Sequence, residues 1–388
     1  MIVLLVIIYV TFVSLGLPDA LLGSGWPTMY QGLGVPMASA GIISMIIFGG
    51  TILSSFASGR VVRRLGFGLT AAISVTMTAT ALLGISLSGN FIMICLWAIP
   101  LGLGAGSIDS SLNNFIALYY NAKYMNWLHC FWGVGASISP IIMSFALDEW
   151  NSWNLGYRIV GIFQICLAVF LFATLPLWKR VNKIETDEVD TKKADISFKK
   201  LFSLPAAKET LVAFFCYCSV EVTVALWGSS YLVTARNVPA STAASWIALY
   251  YGGITVGRFL SGILAIKFDT KQMVRIGVTS VAIGIAILFT PLPSIMMLVA
   301  LFFIGLGCAP IFPSLLHETP TNFGSENSQT MIGVQMGCAY MGSTLMPPLF
   351  GLIATKISYH ALPFFLGIFL TLMIVLLKIS NKKLKSLS

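Results

Sequence analysis

Four ionisable residues sit where ionisable residues are expensive. Of the fourteen acids in the chain, Asp19, Asp109 and Glu221 fall deep inside long apolar stretches, and Arg258 is the one basic residue at comparable depth. A charge held in hydrocarbon costs roughly 3 kcal/mol on insertion scales. Proton transfer is the chemistry that explains keeping such a group. Desolvation favours the neutral form of a carboxyl group that has no cationic partner. A carboxyl that is dry in one state and wet in another loads and releases a proton. No Lys or Arg lies deep in the apolar segments of the first half of the chain, so Asp19 and Asp109 read as proton carriers. Glu221 and Arg258 leave two readings open: a pair that locks the second half together, or members of a coupling or substrate site.

Helical spacing supplies candidate surroundings. Asn113 follows Asp109 by four residues, so the two share a face. Trp26 follows Asp19 by seven, and His129 and Trp132 are three apart. Gln335 and Tyr340 add an amide and a phenol late in the chain. Amides exchange hydrogen bonds with hydroxyls and flat rings stack on sugar faces, so this set suits a neutral polyol. The alternative for each is bland: tryptophans anchor helix ends at a membrane interface, and a histidine is more often a hydrogen-bonded helix residue.

The elements that carry these residues follow from composition. The 388 residues are 57% hydrophobic and 10% charged, against roughly 25% charged in a soluble domain. The chain reads as an all-α integral membrane protein. A spanning helix needs about 20 mostly apolar residues. Twelve such spans are expected, near 2–28, 38–58, 68–88, 91–119, 125–147, 157–178, 209–234, 241–266, 273–291, 294–316, 328–355 and 358–379. The opening "MIVLLVIIYV" lacks a basic flank and a cleavage site, and is read as a retained first helix. The seven cysteines all fall in apolar segments and read as small buried residues.

The formal net charge is +9. Its distribution, rather than nucleic-acid binding, explains it. Arg60, Arg63, Arg64, Lys179, Arg180, Lys267, Lys271, Lys382, Lys383 and Lys385 follow even-numbered spans, whereas the opposite side holds only Arg158, Arg236 and Lys356. Positive residues stay cytoplasmic, so both termini are expected inside, in a multi-pass protein of a bacterial plasma membrane. Residues 179–207 are the one long polar stretch, read as a cytoplasmic linker with a surface helix around "ISFKKLF". They divide the chain into six-helix bundles at 1–178 and 208–388.

The halves repeat. Gly49, Gly50, Ser58 and Gly59 recur 203 residues later as Gly252, Gly253, Ser261 and Gly262, and "GLG" at 102–104 recurs at 305–307 with the same offset. Two pseudo-symmetric six-helix bundles with a midplane site between them are the pattern of alternating-access transporters.

The segment "GRVVRRLG", with Gly59, Arg63, Arg64 and Gly66, resembles the glycine- and arginine-rich loop of the major facilitator superfamily, with Arg63 standing at the usual acidic position. The twelve spans, the division into six and six and the basic central loop are similar too. Within that superfamily, "IDSSLNNF" is similar to the fourth span of the fucose–proton symporter group, through Asp109, Asn113 and Phe115. Asp19 in "GLPDALLG" resembles the acid of that group's first span. The group carries a glutamate where Asp109 stands, and a proline where Asn114 stands. The resemblance implies a proton-coupled symporter of a small neutral solute, a sugar.

The same acids would serve a proton antiporter that exports drugs or metabolites. No HExxH, GxSxG or phosphate-loop pattern occurs, so no enzyme and no cofactor is expected. The expected partners are a small solute, protons and the lipid bilayer, for a monomer.

Overall fold

The computed structural model describes residues 2–120, 122–182, 202–265 and 267–385. Among these residues every regular element is a helix. The surface helix expected around "ISFKKLF" lies outside the described residues, apart from its last position.

Among the described residues, ten helices are long and apolar enough to cross a membrane. One of them, Ala40–Ser86, is broken at Gly66, which has φ 77° and ψ 165°. Only glycine adopts that backbone region readily, so the break divides the helix into spans 2 (40–65) and 3 (67–86). Ser325–Lys356 is a further long helix, with Pro347 and Pro348 inside it. Twelve spans result. Span 1 is Ile2–Gly32, span 4 Phe91–Tyr119, span 5 Ala122–Trp150 and span 6 Trp153–Ala173. Span 7 is Ala207–Arg236, span 8 Ala240–Leu264, span 9 Thr270–Phe289, span 10 Met296–His317, span 11 Ser325–Lys356 and span 12 Leu362–Lys385. Span 6 ends five residues earlier than expected, because Thr174 interrupts the helix and Leu175–Asn182 forms a separate short one.

The repeat in the sequence is a repeat in packing. A Cβ on Gly50 would lie 3.0 Å from the Leu103 backbone nitrogen, and one on Gly253 would lie 2.9 Å from that of Leu306. These pairs correspond at the same offset of 203. Spans 2 and 4, like spans 8 and 10, meet backbone to backbone, which only small residues permit. Gly49 and Gly252, one position earlier, face open space.

Span 1 is held by an unusual bond. Pro18 has no N–H, so the Ser14 carbonyl loses its helical donor. The Gln164 amide replaces that donor at 2.7 Å, while its oxygen accepts from Thr78 at 2.7 Å. Asp19 therefore directly follows a gap in the helical hydrogen bonding that Gln164 fills.

The bundles close on each other at the end away from the chain termini. There Gly23 packs on the backbone of Ala225 and Leu226, Gly41 on Pro348 and Gly351 near Ala38. Elsewhere, Arg236 donates to the Leu288 carbonyl at 2.6 Å and ties span 7 to span 9. At the terminal end, Lys383 pairs with Glu209 at 2.6 Å and ties span 12 to span 7. The cysteines are free; Cys216, Cys218 and Cys308 are buried, but Cys166 is exposed on the outer face of the bundle, contrary to the expectation of burial.

Candidate functional site

A cavity of about 330 Å³ lies between the bundles, walled by spans 1, 2, 4 and 5 of the first and 7, 8, 10 and 11 of the second. Pockets that hold small molecules start near this size, at roughly 300 Å³. All four intramembrane ionisable residues line it: Asp19, exposed to the cavity, and Asp109, Glu221 and Arg258, each half-buried.

The network is built across the bundle boundary. Trp132 of span 5 donates its indole N–H to Asp19 Oδ2 at 2.8 Å. The guanidinium of Arg258, from span 8, lies 4.8 Å from the centre of the Trp132 ring. The same guanidinium donates to the His129 carbonyl at 3.3 Å. Asn113 donates to Asp109 Oδ1 at 2.9 Å, within one helix. Asp19 and Asp109 are near enough to repel each other when both are ionised, and Arg258 lies within electrostatic reach of both Asp109 and Glu221.

Arg258 does not form an ion pair with Glu221; among the described residues it leans into the first bundle instead. Asp109 is consequently not remote from cations, because the second bundle supplies one.

The remaining candidates divide. His129, Trp132 and Tyr340 line the cavity, but Trp26, Asn113 and Gln335 do not. Trp26 is fully buried and donates to the Met37 carbonyl at 2.6 Å. It lies about 10 Å beyond Asp19 along the helix, at 1.5 Å per residue, where the bundles are closed. Gln335 is buried on another face of span 11 and accepts from Thr319 at 3.0 Å. Asn113 touches the site only through Asp109. Arg63 and Arg64 are exposed, and with Gly59 and Gly66 they mark the connection between spans 2 and 3, away from the cavity.

A sequence model described as the Major Facilitator Superfamily matches residues 8–245 and 210–387. The chain belongs to that superfamily. It is a multi-pass membrane transporter and not an enzyme. It is 22% identical over 387 residues to the glucose/mannose transporter GlcP of Bacillus subtilis (strain 168), covering 96% of this chain and 93% of that one. It is 22% identical over 386 residues to Bypass of stop codon protein 6 of Saccharomyces cerevisiae, covering 91% and 77%. Among solved structures, it is similar in fold to a D-xylose–proton symporter, with a TM-score of 0.76 and 13% identity over 97% of this chain and 96% of that one.

In this superfamily member the cavity wall holds residues that helical spacing alone did not single out. Tyr217, Tyr250 and Tyr251 line it from the second bundle. Tyr251 stands edge-on to Trp132, with ring centres 6.4 Å apart, and the Tyr250 hydroxyl bonds the Glu221 carbonyl at 2.9 Å. The adjacent pair "YY" at 250–251 was the available signal. It precedes the repeated "GG" of span 8, whose second glycine, Gly253, packs that helix against span 10. Thr51 and Ser343 contribute hydroxyls to the wall.

Proposed function

We propose that this chain is a proton-coupled symporter that carries a small neutral solute, a sugar, by alternating access. The observation that carries the reading is that Asp19, Asp109 and Glu221 line, together with Arg258, one cavity shared by both bundles. Three ionised carboxylates with one Arg258 would leave two negative charges uncompensated between membrane helices. Such a charge is expensive unless it is neutralised. Protons neutralise it, and they leave again when the cavity opens to water on the other side.

The walls suit a hydroxyl-rich ring. Trp132, Tyr251 and Tyr340 supply flat faces with polar edges, while Thr51 and Ser343 supply hydroxyls. In this reading His129, Trp132 and Tyr340 touch the solute, and Asn113 orients Asp109. Trp26 and Gln335 serve packing. The relative named as a glucose/mannose transporter supports the choice of a sugar. The bundles are assigned to 1–178 and 208–388, joined by 179–207, with both termini cytoplasmic in a bacterial plasma membrane and a monomeric carrier.

The experiment is a sugar panel presented to cells or proteoliposomes while external pH is recorded. Symport predicts alkalinisation outside on sugar addition. A second reading draws on the apolar part of the wall, where Leu22, Phe48, Phe312 and Met336 stand. An exporter of apolar cations in exchange for protons would use the same carboxylates. It predicts no response to any sugar and a proton flux that requires the exported compound.

A further inference from the structure

A second cavity, of about 550 Å³, opens far from the first, between the ends of spans 7, 9, 10 and 12. Spans 7 and 9 begin there and spans 10 and 12 end there, so it lies at the end that carries the chain terminus. Its rim is basic: Lys271 and Arg275 come from span 9, and Lys378, Lys382 and Lys385 from span 12. Glu318 is the one acid among the lining residues, and it already accepts from Asn322 at 3.5 Å. The other nearby acids are engaged elsewhere. Asp269 caps the first turn of span 9, and Glu209 pairs with Lys383.

The spacing of the cations is costly in isolation. Lys271 and Arg275 are four residues apart on one helix, as are Lys378 and Lys382 on another. Like charges at that spacing repel along a helix face. Here two such pairs face one hollow, so repulsion acts across it as well. Below the rim the wall turns apolar, with Val274, Val278, Ile374 and Leu377. The hollow is therefore amphipathic, cationic where the helices leave their apolar run and hydrocarbon-lined where they enter it. A free anion would satisfy only the rim. Basic pockets between membrane helices hold anionic headgroups.

We propose that this hollow is a binding site for one anionic phospholipid. Lys271, Arg275, Lys378 and Lys382 hold the phosphate and its headgroup charge, and an acyl chain lies along the apolar floor. The site joins span 12 to span 9 and is independent of the solute cavity.

The test uses the full-length protein in neutral detergent. Phosphatidylglycerol, phosphatidylcholine and inorganic phosphate are added separately, and retained adducts are read by native mass spectrometry with melting temperature in parallel. The expected result is one retained phosphatidylglycerol with a raised melting temperature, and no such effect from phosphatidylcholine or phosphate. Replacing Lys271, Arg275 and Lys378 together by Gln should weaken phosphatidylglycerol retention at least about tenfold, as the loss of several basic contacts implies. Lys271→Arg with Lys378→Arg should retain it. Equal retention of phosphatidylcholine and phosphatidylglycerol by the unaltered protein would overturn the proposal without recourse to any variant. Protection by phosphate equal to that by phosphatidylglycerol would overturn the lipid as occupant. Undiminished retention in the triple variant would overturn the assignment of these residues.

Discussion

Arg258 and Trp132 meet face to ring across the boundary between the bundles, 4.8 Å apart, while the indole N–H of the same tryptophan bonds Asp19 at 2.8 Å. One side chain of the first bundle thus touches the guanidinium of the second and a carboxylate of its own. A cation over an indole is worth about 2 kcal/mol when desolvated. Any rotation of one bundle against the other must keep or break that contact, so the Asp19 carboxyl and the bundle boundary share a residue.

Arg258→Met should therefore act on transport more than on folding. A buried pair with Glu221 would have made the single variant unstable by roughly 3–5 kcal/mol and the double variant with Glu221→Gln nearly normal. Arg258 instead lies on the first bundle, so the double variant is expected to fold and to remain inactive. Melting temperature and sugar uptake, measured on both variants, decide it. Recovery of uptake in the double variant would show that the two residues act mainly as a pair.

Trp132→Phe separates the two roles of the indole. It keeps a ring for Arg258 and removes the donor to Asp19, a hydrogen bond to a charged group worth about 1.5–3 kcal/mol. Trp132→Ala removes both. Uptake should fall in the order wild type, Phe, Ala, with the Phe variant showing an altered dependence of uptake on external pH. Equal uptake by the Phe and Ala variants would mean that the ring face does not matter.

Matched glycine substitutions test the internal symmetry. Gly50→Ala and Gly253→Ala each place a Cβ against the backbone of the neighbouring span, 3.0 Å from the Leu103 nitrogen in the first half and 2.5 Å from the Phe302 carbonyl oxygen in the second. Overpacking of this kind costs typically about 1–3 kcal/mol, so both variants should lose melting temperature, Gly253→Ala the more. Gly49→Ala and Gly252→Ala, each one residue earlier and facing open space, should be close to neutral. A large loss in only one half would contradict equivalent packing.

Gly66→Ala should destabilise for a different reason. At φ 77° and ψ 165° an alanine is strained, at a cost of about 1–3 kcal/mol. A thermal melt of this variant beside Gly59→Ala, whose Cβ would meet only the end of the Arg63 side chain at 3.8 Å, isolates the backbone term.

These particulars show why some features were legible in the sequence. The repeat was visible because close helix packing demands small residues, and the demand recurs in both halves. The spans were visible because hydrocarbon selects for composition. The charged cluster was visible through its cost. What spacing could not supply was which helices are neighbours. Asp19 and Trp132 are 113 residues apart, and nothing local links them. Nor did spacing give depth. Trp26 is on the expected face of span 1 but about two turns too far along. Gln335 and Tyr340 are five residues apart, which is about 140° around a helix, so one cavity could not hold both.

The central claim is that Asp109 carries a transported proton. The direct measurement is pH-gradient-driven uptake of radiolabelled D-glucose into proteoliposomes, comparing wild type with Asp109→Asn and recording sugar exchange without a gradient in parallel. Asparagine copies the neutral acid, keeps an oxygen for the Asn113 amide, which lies 2.9 Å from Oδ1 in the native chain, and has no proton to release. The account predicts that accumulation against the gradient is lost while exchange persists. Undiminished gradient-driven accumulation in the Asn variant would contradict it.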